Sequence, residues 1–134
     1  MAYVLDTNVA IHLRDGDPDI SRQVAALDAA ILLSVVTRVE LEGGVYRDAA
    51  EAPIRRARLD AMLSAIPTLA FDDAAAAAYA AIVAHAGYSR RKLLDRMIAA
   101  QAIVHRATLV TMNAEGFGDV IGLKVLAWRA AGRG

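Results

Sequence analysis

The fold of this chain is decided near its start by the stretch Tyr3-Val4-Leu5-Asp6-Thr7-Asn8. An apolar run here meets an acidic residue and two small polar ones, which predicts a buried strand that ends in a carboxylate. In an open α/β sheet, ligands bind just beyond the carboxyl ends of the strands, so Asp6 is a candidate site residue. Capping of the helix that begins near Val9, by Asp6 or Asn8, explains the same residues equally well.

The composition is typical of one folded domain. The chain has 134 residues, of which 57% are hydrophobic and 22% charged, so we expect a single domain over residues 1–134. Fifteen basic residues balance fifteen acidic ones. A net charge of zero excludes a surface that is basic throughout, and any nucleic acid must therefore be held by a local patch.

Cysteine is absent from the sequence. This excludes disulfides, thiolate catalysis and zinc or iron–sulfur sites built on cysteine, and it fits a cytoplasmic protein. The start of the chain lacks the pattern of a signal peptide, and the longest apolar run, residues 74–84, is too short to span a membrane.

Segments typical of strands alternate with segments typical of helices along the whole chain. Strands are expected at residues 3–5, 30–35, 68–71, 108–112 and 123–126, and helices at 7–13, 19–28, 36–50, 51–66, 72–86 and 93–106. In the helix over 51–66, an apolar stripe runs from Ile54 to Ile66. A mobile tail is expected after the last strand. This alternation predicts a mostly parallel sheet covered by helices on both faces.

Four acidic or amide residues stand at the edges of apolar elements, namely Asp6, Glu40, Asp95 and Asn113. Glu40 follows the second strand by about one and a half helical turns, which would return its carboxylate toward Asp6. The segment Thr37-Arg38-Val39-Glu40 also matches a capping box, in which Glu40 would only tie down the start of a helix.

Asp95 falls on a strip of small residues in its helix, together with Ala99 and Ala102. Such a strip allows another element to approach closely. An exposed Asp95 paired with Arg91 one turn earlier would give the same pattern.

Carboxylates gathered at one point repel one another, so their clustering is explained best by a hard divalent cation, Mg²⁺ or Mn²⁺. Such an ion lowers the pKa of a bound water and neutralises charge on a phosphoryl oxygen, which is the chemistry of phosphodiester hydrolysis. The run Arg90-Arg91-Lys92 could neutralise RNA phosphates beside the ion, or could simply be a solvated start of a helix.

Four motifs occur in an order that resembles the PIN-domain ribonucleases, specifically the VapC-type toxins of bacterial toxin–antitoxin pairs. They are Leu5-Asp6-Thr7-Asn8, the segment from Ser34 to Leu41, the segment from Leu94 to Ala100, and Leu109-Val110-Thr111-Met112-Asn113. The resemblance covers nearly the whole chain, including Gly122-Leu123-Lys124-Val125 and Trp128.

The resemblance implies a three-layer α/β/α sandwich with a mostly parallel sheet and a Mg²⁺- or Mn²⁺-dependent endoribonuclease. Asp6, Glu40 and Asp95 match the acidic positions of the family, and Asn113 matches the fourth position of the site. Thr7 and Asn8 match the small polar positions that orient the acids. A VapB-type antitoxin as inhibitor, contact with DNA only through that antitoxin, and a homodimer are implied as well.

The sequence departs from the family pattern at its fourth position, where Asn113 stands in place of the aspartate that many PIN nucleases have. Asn113 can offer an oxygen but brings no charge, which leaves a second metal ion open and makes Glu115 a possible substitute. A PIN-like module that binds RNA or protein without cutting therefore remains an alternative. An enzyme for small phosphoesters is a third, although the chain has no P-loop type of phosphate loop.

Overall fold

Five parallel strands form the centre of the molecule. The computed structural model describes residues 1–129. The strands are β1 (Ala2–Leu5), β2 (Ala30–Ser34), β3 (Thr68–Leu69), β4 (Thr108–Thr111) and β5 (Lys124–Ala127), in the spatial order β3-β2-β1-β4-β5. The helices are α1 (Thr7–Arg14), α2 (Pro18–Ala25), α3 (Val35–Val45), α4 (Ala52–Ala65), α5 (Asp73–Ala86) and α6 (Leu93–Val104), and a short 3₁₀ helix covers Ala114–Phe117.

Alternate residues of the strands point into two separate cores, one on each face of the sheet. Val4 and Leu109 pack with α5 and α6, through residues such as Ile98. Leu5 and Val110, the next residue along each strand, pack on the opposite face with α1, α2 and α4. The predicted three-layer α/β/α sandwich with a parallel sheet is confirmed.

Successive strands are added on one side of β1 first and then on its other side. The chain moves from β1 outward to β2 and β3, and then returns to place β4 and β5 on the other side of β1. The crevice between the carboxyl ends of β1 and β4 is thus a topological switch point, where open α/β sheets bind their ligands. Asp6 directly follows β1 at this point.

The sequence predictions were wrong about the end of α3, the length of β3 and the burial of Ile54. The helix expected to reach residue 50 ends at Val45, because the Asp48 side chain accepts a hydrogen bond from the amide of Ala50 and forms a turn instead. β3 has two residues rather than four and pairs only with β2. Ile54 lies in the first turn of α4 and is 44% exposed, whereas Leu59 and Met62 carry the buried face of that helix.

Part of the expected mobile tail is ordered into the sheet, since Ala127 ends β5 and Trp128 packs against the core beneath α1 and α4. Residues 130–134 lie outside the described residues. Within the described part of the chain, no helix combines the length and the apolar character needed to cross a membrane.

Candidate active site

Asp6 is buried where β1 passes into α1, and its carboxylate is held from two sides. The hydroxyl of Thr111 donates to Oδ2 at 2.7 Å, and the amide of Thr7 donates to Oδ1 at 2.9 Å. The amide of Asp6 itself donates to the Val110 carbonyl at 2.8 Å, which fixes the residue against β4. Asp6 is also the N-cap of α1, as the capping alternative predicted, and its place at the carboxyl end of β1 keeps it a candidate site residue.

Glu40 lies on α3 and is held by the hydroxyl of Thr7, which donates to Oε1 at 2.8 Å. That hydroxyl also lies 2.9 Å from the hydroxyl of Thr37. A hydroxyl has one proton, so Thr37 donates to Thr7 while Thr7 donates to Glu40. The chain Thr37 to Thr7 to Glu40 therefore fixes the carboxylate beside the start of α1.

The capping box at Thr37 is not formed. The helix begins earlier, at Val35, and its N-cap is Ser34, whose hydroxyl accepts from the amide of Val36 at 3.0 Å. Thr37 is consequently inside the first turn, and Glu40 is left to bond Thr7 rather than its own helix.

Asp95 lies in the first turn of α6 and is half-buried. Ala99 and Ala102, on the same strip of this helix, are fully buried, so the small residues allow the close packing that was expected. Among residues 1–129, Asp95 forms no ion pair with Arg91, which is exposed.

Burial raises the pKa of two of the carboxyl groups, Asp6 and Asp95. Burial raises the pKa of Asp6 above its ordinary value, and the charges of Asp95 and Glu40 raise it further, against the hydrogen bonds from Thr111 and Thr7 that lower it. Burial also raises the pKa of Asp95, against the opposing charge of Lys92. The ionised forms of these two aspartates are therefore less favourable than the ionised form of an exposed aspartate.

Asn113 is joined to this cluster through the backbone. Its amide donates to the hydroxyl of Thr111 at 3.0 Å, and that hydroxyl donates in turn to Asp6. Its side chain is exposed and lies over Gly116, where an added Cβ would come within 2.8 Å of Nδ2. Glu115 is exposed on the same short 3₁₀ helix as Gly116.

The basic run ahead of α6 is divided between two environments. Arg90 and Arg91 are exposed, whereas Lys92 forms an ion pair with Asp119 at 3.2 Å. Buried Arg96 binds the same carboxylate at 2.9 Å and donates to the Gly87 carbonyl at 2.7 Å. These contacts anchor the first turn of α6, which carries Asp95.

Sequence reasoning missed two of the residues that hold the cluster, Thr37 and Thr111. Both side chains are fully buried, and each hydroxyl reaches toward the site. The sequence does carry a signal for both residues. Thr111 ends a buried strand and Thr37 lies in the first turn of a helix, and at such buried positions an apolar residue is more usual than a threonine.

The carboxylate oxygens of this site are suitable ligands for a hard divalent cation. The donors that hold Asp6 are a hydroxyl and an amide, both neutral, so its charge is not cancelled by a basic side chain within residues 1–129. Each carboxylate oxygen keeps a free lone pair, and oxygen ligands are those that Mg²⁺ and Mn²⁺ prefer. Among the described residues, no three acidic, histidine or cysteine side chains lie close enough together to hold a metal ion in this structure.

The geometry of the sheet and the acidic cluster can be compared with known proteins. A family model for the PIN domain matches residues 3–122, a range that includes all four candidate residues. The chain belongs to the PIN domain family. The curated protein Ribonuclease VapC2 of Rickettsia felis is 27% identical over 135 residues, covering 96% of this chain and 98% of that relative.

Solved structures superpose on this chain along most of its length. A chain in the crystal structure of VapBC2 from Rickettsia felis bound to a promoter DNA fragment superposes with a TM-score of 0.84 at 26% identity, covering 96% of this chain and all of that one. A chain of FitAcB from Neisseria gonorrhoeae superposes with a TM-score of 0.80 at 27% identity, over 92% of this PIN domain and 96% of its own length. The PIN domain assignment thus rests on sequence and on fold.

Proposed function

We propose that this PIN domain is a metal-dependent endoribonuclease that cleaves RNA phosphodiester bonds and acts as the toxin of a toxin–antitoxin pair. The observation that carries the proposal is the position of the buried Asp6 carboxylate at the switch point of the sheet, held by neutral donors and acted on by the charges of Asp95 and Glu40. The similarity to Ribonuclease VapC2 supports RNA as the substrate.

In this proposal Asp6, Glu40 and Asp95 hold a Mg²⁺ or Mn²⁺ ion, and Asn113 supports it. The ion would supply charge neutralisation at the scissile phosphate and make water acidic enough to act as a nucleophile near neutral pH. Thr111 fixes the orientation of the Asp6 carboxylate, and Thr7 fixes that of Glu40. The residues that hold the acids thereby preorganise the site before RNA binds.

The biological part of the proposal concerns the partners. Similarity to a chain of the VapBC2 complex, which is bound to promoter DNA, supports a VapB-type antitoxin as the inhibitor. The proposal includes contact with DNA only through that antitoxin, a homodimer, a cytoplasmic location, and one domain over residues 1–134.

Cleavage of a labelled single-stranded RNA tests the enzymatic proposal. The purified chain should cut the RNA in Mg²⁺ or Mn²⁺ and stop in EDTA, and activity should rise with pH as water deprotonates. A DNA of the same sequence and a chromogenic phosphodiester serve as controls for the substrate class. RNA binding without any cleavage would favour a binding module, and turnover of the chromogenic ester alone would favour a small phosphoesterase.

Growth of a bacterial host tests the toxin proposal. Induction of the chain should arrest growth, and co-expression of the product of the adjacent short reading frame should restore it. Arrest that the neighbour does not relieve would contradict the antitoxin part while leaving the nuclease part intact.

A further inference from the structure

A cleft of about 470 Å³ opens beside the acidic cluster, and its wall includes both Thr7 and Glu40. The rest of the lining contains three arginines, Arg14, Arg47 and Arg55. Pockets of a few hundred Å³ accommodate ligands of nucleotide size. The cleft thus continues the surface of the candidate active site into a region rich in guanidinium groups.

Arg14 is held rigidly in this wall, and its side chain is only 5% exposed. Its Nε and Nη2 both lie 3.0 Å from Asp15 Oδ1, which leaves Nη1 without a partner among the described residues. Nη1 is directed at Gly44, where an added Cβ would lie 3.1 Å from it. The absence of a side chain at Gly44 therefore keeps room for the guanidinium inside the cleft.

The other two arginines complete the wall. Arg55 donates from Nη1 to the Gly44 carbonyl at 3.0 Å, which fixes it beside the same glycine. Arg47 is exposed and forms no ion pair within residues 1–129. Three carboxylates also line the cleft. Asp15 is paired with Arg14, whereas Asp48 accepts only the neutral amide of Ala50 at 3.0 Å and keeps its charge, as Glu40 does. Within residues 1–129, Arg47 and Arg55 are the guanidinium groups of this wall that no carboxylate pairs with.

We propose that this cleft, formed by Arg14, Arg47 and Arg55 around Gly44, binds a backbone phosphate of the RNA strand adjacent to the scissile bond. The inference rests on the proposed endoribonuclease function, because a strand that places one phosphate at Asp6 and Glu40 must leave the site along a neighbouring surface. Planar guanidinium groups match the geometry of phosphate oxygens, and a preorganised Arg14 loses little freedom on binding. Because Thr7 and Glu40 of the candidate active site are part of the same lining, a strand bound in the cleft would continue into that site, and this favours RNA over an acidic polypeptide.

Fluorescence anisotropy with a labelled single-stranded RNA in EDTA tests the cleft without cleavage. Arg47→Gln should weaken binding about fivefold, as expected for one exposed hydrogen bond to a charged group. It should also reduce the slope of log affinity against log salt by about 0.7, which is the value for one phosphate contact. Arg22→Gln is the matched control, since Arg22 is an exposed arginine on α2 and should change neither quantity.

A second pair of variants tests the role of Gly44. Gly44→Leu should fill the cleft and weaken RNA binding about tenfold, equivalent to losing one strong charged hydrogen bond. Gly43→Leu adds the same side chain one residue away, where no atom lies within 4 Å, and should bind RNA normally. Circular dichroism checks that both variants keep their helices.

Unchanged RNA affinity in both Arg47→Gln and Gly44→Leu would overturn the inference. Tighter binding of a labelled poly-glutamate peptide than of RNA, lost in the same variants, would assign the cleft to an acidic polypeptide and also overturn it. A wild-type chain that does not cut RNA in Mn²⁺, yet binds it through Arg47, would uphold the cleft and contradict the proposed function.

Discussion

Asp6 has a structural role at the start of α1, and we propose a chemical role for the same side chain. Its carboxylate caps α1 through the amide of Thr7 and accepts from the Thr111 hydroxyl, while burial and, to a smaller extent, the charges of Asp95 and Glu40 raise its pKa. A cap needs only one oxygen, and a neutral asparagine could provide it. The capping hydrogen bond lowers the pKa of Asp6, so the net rise comes from burial and the neighbouring negative charges, and a bound cation would oppose it.

Thr7→Val tests the positioning of Glu40. Loss of the hydroxyl leaves Glu40 Oε1 without its donor and Thr37 without its acceptor, so the Mn²⁺ concentration needed for half-maximal cleavage should rise about tenfold. Thr7→Ser keeps the hydroxyl and should behave like the wild type. Equal Mn²⁺ dependence in Thr7→Val and the wild type would exclude this role.

Asp119 gives a pH prediction away from the carboxylate cluster. Hydrogen bonds from Lys92 and Arg96 hold its pKa below the ordinary value of 3.8. A lowered pKa means that the ionised form stabilises the fold above pH 3.8, and that this stability is lost as the pH falls through the lower pKa of the folded state.

Asp119→Asn should therefore lower the free energy of unfolding by about 1 kcal/mol at pH 7, a modest value because Asp119 is partly exposed. The difference from the wild type should shrink as the pH approaches 3. Urea denaturation at a series of pH values measures it. A difference that stays constant down to pH 3 would contradict the assigned cause.

The acidic residues could be named from the sequence, whereas their supports could not. Asp6 follows a strand pattern, and Glu40 and Asp95 fall within recognisable motifs. Thr111 supports Asp6 only because β1 pairs with β4, a contact between residues 105 positions apart. Propensity and periodicity describe residues that are close in sequence, so they do not predict contacts that strand pairing makes between distant residues.

At the scale of the element, α3 has the greatest effect on the site. Its start at Val35 places Glu40 beside Thr7, and its Gly44 lines the arginine cleft. The alternation of strands and helices was enough to predict that this helix exists. Its two ends were not predictable, because a serine cap and an aspartate turn competed with the local pattern.

The two glycines of α3 allow a matched test of this view. Gly43→Ala should raise the free energy of unfolding by about 1 kcal/mol, since alanine is the better helix former and the position is open. Gly44→Ala should gain less, because its Cβ would lie 3.1 Å from Arg14 Nη1. An equal increase in the free energy of unfolding for both variants, measured by urea denaturation, would show that Arg14 does not need the room beside Gly44.

At the scale of the whole molecule, the topology brings together residues from distant parts of the sequence. Asp6 follows the central strand, Glu40 belongs to the unit built on β2, and Asn113 follows β4. Two cores, one on each face of the sheet, hold these elements at fixed positions. The proposed single domain predicts one cooperative unfolding transition.

The central claim is that Asp6 belongs to a metal-dependent site that cuts RNA. The most direct measurement is the rate of cleavage of a labelled RNA in Mn²⁺ by Asp6→Asn, compared with the wild type and with Asp60→Asn, which changes an exposed aspartate on α4. Asp6→Asn should lose cleavage but keep its thermal stability in EDTA, whereas Asp60→Asn should cut normally. Cleavage by Asp6→Asn at the wild-type rate, in protein free of contaminating nuclease, would contradict this claim.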